Sequence, residues 1–218
     1  MRPIIAQRTG RAGRVAVLVL AAGGSRRLGR PKQLVRVGGE SLVGRAVRIA
    51  ESLGPAWLGV VVGAQAARTG AVARAHGAVV VRAARWREGL SASLRAGVRR
   101  VPPSATRLLI MTVDQWRIER EDLWRLLRAA GRGSAAAAYS GRLGVPAVFP
   151  RRRFAELLSL RGDVGARALL ADRSTPVPMP RAAQDLDTPV ELAALRAQPP
   201  RAPGRRTGAT RRSGGSRR

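Results

Sequence analysis

The residues best suited to chemistry lie around the only lysine of a chain that otherwise relies on arginine. Forty-one side chains are basic, and the single lysine, Lys32, follows a segment that begins Leu20-Ala21-Ala22-Gly23-Gly24-Ser25. Glycines permit a sharp turn and leave backbone N–H groups open to an anion, because no Cβ stands in the way. A lysine ammonium is a compact point charge, whereas arginine presents a planar fork. The segment therefore predicts a phosphate-binding loop.

Two acidic residues are candidates for holding a metal ion. Asp114 follows the apolar run at 108–113, and Asp187 precedes Thr188-Pro189, in a chain with only 13 acidic residues. Magnesium is a hard cation that proteins commonly hold with one or two carboxylates plus substrate phosphates. Both residues fit that need. Each has an alternative role as a helix cap, Asp114 before the predicted helix at 119–130 and Asp187 before the last helix.

The composition excludes several other kinds of chemistry. The absence of cysteine rules out disulfides, thiolate metal sites and a cysteine nucleophile. A single histidine, His76, argues against imidazole metal clusters and a Ser-His-Asp triad. We assign His76 to the surface near the end of an amphipathic helix, where it compensates the helix dipole.

The elements that position these residues alternate between strands and helices. The strand-like runs are continuously apolar, which is typical of strands covered on both faces: 15–20, 57–62, 78–81, 108–113 and 146–149. The helical stretches lie between them: 41–53, 64–76, 91–99, 119–130 and 151–160. Ser41 and Ser91 are predicted N-caps. This order predicts an α/β fold, a doubly wound and mostly parallel sheet with helices on both faces. Ligands of such sheets bind beyond the carboxyl ends of the strands, where Lys32 and Asp114 fall.

The chain is expected to form one domain with two basic ends. We predict a basic extension at 1–14, the domain at 15–197, and a disordered, arginine-rich tail at 198–218. No apolar run reaches the roughly 18 to 20 residues that span a bilayer, so we expect no membrane association. Residues 2–14 and 15–20 imitate a secretory signal, but cleavage there would destroy the lysine loop. We expect a cytoplasmic monomer.

The net charge of +28 would attract polyanions, nucleotides among them. We interpret it as a compositional bias towards arginine and not as dedicated nucleic-acid binding, because aromatics are only 3% of the residues and stacking platforms are scarce. The alternative from another class of protein is an inactive, basic α/β scaffold that binds nucleic acid through its arginines.

Six motifs follow one another in order between residues 15 and 195. The motifs are Leu20-Ala21-Ala22-Gly23-x-Ser25-x-Arg27-x-Gly29-x-Pro31-Lys32, Trp86-x-x-Gly89-x-x-Ser93-Leu94-x-x-Gly97, Val113-Asp114-Gln115, Gly144-x-Pro146-x-x-Phe149, Gly162-Asp163-x-Gly165-Ala166-Arg167 and Asp185-Leu186-Asp187-Thr188-Pro189. In types and order they resemble the MobA-like nucleotidyltransferases. The paired alanines and Pro31-Lys32-Gln33-Leu34 are more similar to the molybdenum-cofactor cytidylyltransferase branch than to the guanylyltransferase branch.

The resemblance implies a fold, a reaction and its partners. The fold would be a Rossmann-like sheet of the GT-A type. The reaction would transfer CMP from CTP to the phosphate of the molybdenum-molybdopterin cofactor, with Mg²⁺, and release pyrophosphate. The product would serve a molybdenum hydroxylase of the xanthine dehydrogenase type.

The resemblance also implies site residues. The catalytic residues would be Arg27, Lys32 and Asp114, and Asp114 and Asp187 would form the metal pair. The nucleotide-binding residues would be Leu20, Ala21, Ala22, Gly23, Gly24, Ser25, Arg27, Lys32, Gly89, Ser91, Ser93 and Asp114. The acceptor-binding residues would be Gln115, Gly144, Pro146 and Arg167. Ser91 and Ser93 have the alternative of only capping a helix, and Asp163 is assigned to structure.

The chain departs from the family pattern after Asp114. Where the family usually has Asp-Gln-Pro, this chain has Trp116, which lacks the fixed φ of proline and is far bulkier. The shape of the acceptor pocket is therefore open. The alternative function is transfer from another nucleoside triphosphate such as GTP, or to another phosphorylated acceptor.

Overall fold

The first apolar run of the chain forms an inner strand of the sheet, paired with a parallel strand on each side. The structure, a computed structural model, describes residues 14–171, 173–186 and 188–196. Its strands are β1 (Val15–Ala21), β2 (Arg36–Val37), β3 (Glu40–Ser41), β4 (Trp57–Val62), β5 (Val79–Arg82), β6 (Arg107–Thr112), β7 (Ser134–Tyr139), β8 (Arg142–Pro150) and β9 (Ser174–Pro178). Seven of them form one sheet in the order β5-β4-β1-β6-β8-β7-β9, and β2 pairs with β3 as a small hairpin. Only β8 runs antiparallel to its neighbours in that sheet. The predicted mostly parallel α/β sheet is confirmed.

Helices cover both faces of the sheet. They are α1 (Leu42–Glu51), α2 (Ala66–Ala75), α3 (Leu90–Val98), α4 (Arg120–Ala130), α5 (Phe154–Ser159) and α6 (Pro189–Arg196). Along β1, Val17 and Val19 belong to a core with α1, α2 and α4, whereas Ala16 and Leu18 belong to a second core with α3 and α5. Because successive side chains of a strand point to opposite faces, a strand buried between two helical layers must be apolar throughout.

One of the two predicted N-caps is correct. The side chain of Ser41 accepts a hydrogen bond from the backbone N–H of Gly44 at the start of α1. The prediction for Ser91 is wrong, because α3 begins one residue earlier with Gly89 as its N-cap. The cap at this helix comes from the distant Asp163, whose Oδ1 accepts from the backbone N–H of Leu90 at 3.0 Å.

The ends of the chain fall outside the described residues. The predicted basic extension, apart from Arg14, and the whole predicted tail at 198–218 lie there, and Asp187 is also outside the described residues. Within the described residues, no helix is long and apolar enough to cross a membrane.

Close packing between α3 and the sheet gives a stability prediction. A Cβ on Gly97 would lie 2.5 Å from Leu18 Cδ2 and 2.8 Å from Val61 Cγ2. We expect Gly97→Ala to lower the free energy of unfolding by about 1–3 kcal/mol in urea titration, because overpacking outweighs the better helix propensity of alanine. The matched control is Gly70→Ala in α2, where the nearest atom, Val80 Cγ1, lies 3.3 Å away. A Gly97→Ala protein as stable as the Gly70→Ala protein would contradict the prediction.

Candidate active site

A cleft of about 700 Å³ opens at the carboxyl ends of β1 and β6. We call it the carboxyl-edge cleft. Its walls come from four parts of the chain: the glycine turn, by which we mean residues 21–31, with the residue before it and the two residues after it; the segment from β5 into α3; the end of β6; and Asp163. The lining residues are Leu20, Ala21, Ala22, Gly23, Gly24, Arg26, Lys32, Gln33, Trp86, Arg87, Glu88, Gly89, Leu90, Ser93, Thr112, Val113, Asp114 and Asp163. The position agrees with the rule for ligands of open α/β sheets.

The lysine and the aspartate meet at the edge of this cleft. Lys32 Nζ lies 2.7 Å from Asp114 Oδ2, although the residues are 82 positions apart in the chain. Their side chains are 16% and 18% exposed, so the pair is shielded but open to a ligand. The backbone carbonyl of Asp114 accepts from the N–H of Trp116 at 2.8 Å and of Leu186 at 3.2 Å. These bonds hold the carboxylate in place at the end of β6.

The glycine turn is closed by bonds from the residues that follow it. The backbone N–H of Lys32 donates to Ser25 Oγ at 3.0 Å. Ser25 itself has a φ of +51° and Gly29 a φ of +67°, which shows how sharply the chain reverses there. Gln33, which the sequence analysis did not name as a site residue, lines the cleft directly beside Lys32.

Trp86 forms a wall that the sequence motif includes but does not assign to the site. Its ring lies 3.3 Å from where a Cβ on Gly24 would be, and its Cγ lies 2.7 Å from where one on Gly63 would be. The guanidinium of Arg87 lies 4.7 Å from the centroid of the same ring. The position of this tryptophan after the carboxyl end of β5 is the signal that could have identified it.

Three predicted nucleotide-binding residues lie around the start of α3, and two of them line the cleft. Gly89 and Ser93 line it, whereas Ser91 is 1% exposed and does not. The hydroxyl oxygen of Ser91 accepts from Arg95 at 3.0 Å, and its backbone N–H donates to the carbonyl of Gly162 at 3.3 Å. Ser91 therefore packs behind the residues that line the cleft, bonded to Arg95 and Gly162.

The predicted acceptor residues Gln115, Gly144 and Pro146 gather around the backbone of Val145. Gln115 Nε2 donates to the carbonyl of Val145 at 2.7 Å, and the Tyr139 hydroxyl donates to the same carbonyl at 3.4 Å. A Cβ on Gly144 would overlap that hydroxyl, and Pro146, which follows a cis peptide bond, is buried. These residues form one packed unit on the far side of Asp114 from the glycine turn.

Charged groups surround Tyr139 on this side. Burial raises the pKa of the Tyr139 hydroxyl above its ordinary value, and the negative charge of Asp185 raises it further. Arg142 and Arg167 act in the opposite direction on the same pKa. The hydroxyl therefore stays protonated at neutral pH, and the exposed Arg167 lies within electrostatic reach of it.

Two further residues lie away from the cleft lining. Arg27 is exposed, and it is the neighbouring Arg26 that lines the cleft. Trp116 packs with Val37 against a small apolar cluster that includes Leu28 and Leu186. The bulky residue that replaces the usual proline is therefore accommodated by packing and does not line the carboxyl-edge cleft.

The donor set at the cleft suits a hard divalent cation that arrives with phosphates. Among the described residues, no group of three or more His, Cys, Asp or Glu side chains could hold a metal ion alone. The carboxylate of Asp114 at the cleft edge offers oxygen, and such ions commonly take one or two carboxylates plus substrate phosphates. The residues present fit magnesium or manganese on these terms.

A mostly parallel α/β sheet with a basic glycine turn and a carboxylate at its carboxyl edge suits the binding of a phosphorylated ligand. The profile of the MobA-like NTP transferase domain matches residues 17–177. The chain belongs to this family and is a nucleotidyltransferase. The recognition of the family from sequence motifs is confirmed.

Solved structures share the fold along most of their length. The Rv0371c protein of Mycobacterium tuberculosis H37Rv is 30% identical, with a TM-score of 0.72 over 84% of this chain and 97% of that one. A second structure of Rv0371C, in complex with manganese, is 29% identical, with a TM-score of 0.69 over 84% and 98%. A nucleotidyl transferase from Methanothermobacter thermautotrophicus, at 22% identity and a TM-score of 0.72 over 84% and 96%, shares the fold. Comparison with functionally curated proteins finds no match.

Proposed function

We propose that the protein transfers CMP from CTP to the phosphate of the molybdenum-molybdopterin cofactor, with magnesium, and releases pyrophosphate. The observation that carries the proposal is the meeting of Lys32 and Asp114 at the cleft beside the glycine turn. The choice of CTP rests on the paired alanines and on Pro31-Lys32-Gln33-Leu34. The product would serve a molybdenum hydroxylase.

The chain's own groups suit this displacement. An oxygen of the acceptor phosphate attacks the α-phosphorus of CTP, and the bond from that phosphorus to the oxygen bridging the α- and β-phosphates breaks. A phosphoanhydride forms and pyrophosphate leaves with the electron pair. The reaction needs in-line placement and charge neutralisation and no protein nucleophile. The turn amides, Lys32 and the arginines at 26 and 27 supply positive potential to the triphosphate.

Asp114 is the described residue that would hold the divalent ion, and Asp187 is proposed as its partner. When bound, the ion would neutralise negative charge on the triphosphate and the leaving pyrophosphate. A relative that is 29% identical has been solved with manganese, which supports a divalent ion here. Magnesium is the ion we propose for this chain.

The acceptor would bind on the other side of Asp114. Gly144 and Pro146 belong to the packed unit around Val145, and the exposed Arg167 offers a guanidinium to the acceptor's phosphate. The side-chain amide of Gln115 donates to the backbone carbonyls of Val145 and Ala182. We therefore propose that Gln115 shapes the acceptor-binding surface and does not contact the acceptor itself. Trp116 packs with Leu28 and Leu186 and does not line the carboxyl-edge cleft, so we keep the molybdopterin acceptor in the proposal.

Pyrophosphate release tests the proposal. With magnesium and the molybdenum cofactor, we expect CTP to support release at least about tenfold faster than GTP, ATP or UTP, because a wrong base leaves polar groups of the pocket unpaired. Omission of the cofactor or addition of EDTA is the control and should abolish release. Release that prefers GTP, or that requires a different phosphorylated acceptor, would contradict the assignment while leaving the nucleotidyltransferase family intact.

A further inference from the structure

Gln33 follows Lys32 directly, and its side-chain amide donates hydrogen bonds to two backbone carbonyls of the glycine turn, two residues apart. Its side chain is 1% exposed. Its Nε2 donates to the carbonyl of Ala21 at 3.1 Å and to the carbonyl of Gly23 at 2.7 Å. Because both partners are acceptors, the –NH₂ end of the amide must face them, and the orientation of the side chain is determined.

These two bonds set the direction of the backbone donors in the turn. In a trans peptide the N–H points opposite to the C=O. Holding the carbonyls of Ala21 and Gly23 against Gln33 therefore turns the N–H groups of Ala22 and Gly24 away from it. Within the described part of the chain, the N–H of Gly24, which Gln33 orients, donates to no protein acceptor. The N–H of Gly23 also has no protein acceptor there, and the carbonyl opposite to it, that of Ala22, accepts from Ala64 at 3.1 Å. Both glycines line the cleft, so this segment offers donors to an anion.

Stability alone is a poor account of a glutamine at this position. Gln33 Oε1 is buried and has no hydrogen-bond partner among the described residues. A buried, unpaired acceptor lowers the free energy of unfolding. The unpaired Oε1 therefore offsets part of the stabilisation that the two hydrogen bonds of Nε2 provide. An apolar side chain of similar size would avoid that cost but would leave the carbonyls of Ala21 and Gly23 free to turn.

We propose that Gln33 is a positioning residue for the triphosphate of the bound nucleotide, acting through the backbone of the glycine turn without touching the nucleotide itself. The inference rests on the proposed function in that the anion is a nucleoside triphosphate. Lys32 contributes charge to the site, whereas Gln33 contributes the direction of the neutral donors around it. The β- and γ-phosphates are the groups that depend on this arrangement.

The test compares CTP with CMP, since only CTP carries the β- and γ-phosphates. By titration calorimetry in magnesium buffer, we expect Gln33→Leu to weaken CTP binding about tenfold, the loss expected when one or two hydrogen bonds to a charged group are misdirected. CMP binding should change less than about twofold, because it lacks the phosphates concerned. Gln33→Met, unbranched and of similar length, should show the same selective loss and serves if the leucine variant does not fold.

Arg107 provides a matched control at the opposite end of β6 from Asp114. It is 8% exposed, and its Nη1 donates to the carbonyls of Leu127 at 3.2 Å and Gly131 at 3.3 Å. Arg107→Leu therefore removes a buried donor to two backbone carbonyls away from the cleft, as Gln33→Leu does beside it. We expect its ratio of CTP to CMP affinity to match that of the wild type. Melting temperatures of both variants would show whether their losses of stability are similar.

The outcomes separate this inference from the proposed function. Unchanged CTP affinity in Gln33→Leu, or equal loss of CTP and CMP affinity, would overturn the positioning role. An equal shift of the CTP to CMP ratio in Arg107→Leu would overturn it as well. If wild-type protein binds CTP and only these variant results fail, the proposed function stands. A wild-type protein that binds no nucleoside triphosphate would overturn both.

Discussion

Asp114→Asn is expected to lower kcat for pyrophosphate release at least about 100-fold, in line with the loss of one major electrostatic stabiliser. The amide keeps the shape of the side chain but removes its charge, so it can neither pair with Lys32 nor serve as an anionic metal ligand. The measurement is a steady-state assay with saturating CTP, magnesium and the molybdenum cofactor. Thermal unfolding checks that the variant is folded.

The control for that variant is Glu121→Gln, which makes the same change of charge on an exposed residue of α4. It should retain a kcat within about twofold of the wild type, because an exposed charge away from the cleft is screened by solvent. A near-normal kcat in Asp114→Asn would remove Asp114 from the catalytic machinery, whatever Glu121→Gln shows.

Lys32→Ala is expected to lower kcat/KM for CTP by about 100-fold, because it removes the ammonium that neutralises the triphosphate and the transferring group. It also leaves the carboxylate of Asp114 without the partner that lies 2.7 Å away. Lys32→Arg keeps the charge but replaces a point charge with a planar fork, so we expect it to restore only part of the activity.

Arg30→Ala tests whether any positive charge on this loop would do. Arg30 is exposed and lies only two residues before Lys32. Replacing either residue by alanine removes one positive charge, so the two variants have the same net charge. We expect kcat/KM for CTP to fall less than about threefold in Arg30→Ala, since solvent screens the attraction between an exposed charge and the triphosphate. Equal rates in Lys32→Ala and wild type would remove the assignment of Lys32 to the phosphate loop.

The strands that could be predicted from sequence are those with many branched apolar residues. The prediction at 57–62 coincides with β4, that at 15–20 is one residue shorter than β1, and that at 108–113 is shifted by one residue from β6. β7 was not predicted because four of its six residues are alanine, which has low strand propensity. β9 was not predicted because it contains Pro176 and Pro178, and it is tolerated because it lies at the edge of the sheet.

The site could be predicted where local sequence determines it and not where distant side chains do. The glycine turn and its lysine are contiguous, so their types and spacing indicate the phosphate loop directly. Ser91 was predicted as a cap from its place near the start of a helical pattern, but Asp163, 73 positions from Leu90, takes that role. Trp86 and Gln33 stand in the sequence motifs, but only the tertiary structure shows that both line the cleft.

The 162–165 loop and the start of α3 are bonded and packed directly against each other, so neither can move without the other. Backbone N–H groups of Leu90 and Ser91 both donate into this loop. A Cβ on Gly89 would lie 2.6 Å from the carbonyl oxygen of Gly162, so the two segments touch without space for adjustment. Arg167, which we propose for the acceptor, lies two residues after this loop, and Gly89 and Ser93, which we propose for the nucleotide, lie at this helix start. On that proposal, a change of the loop that suits a different acceptor would also alter nucleotide binding.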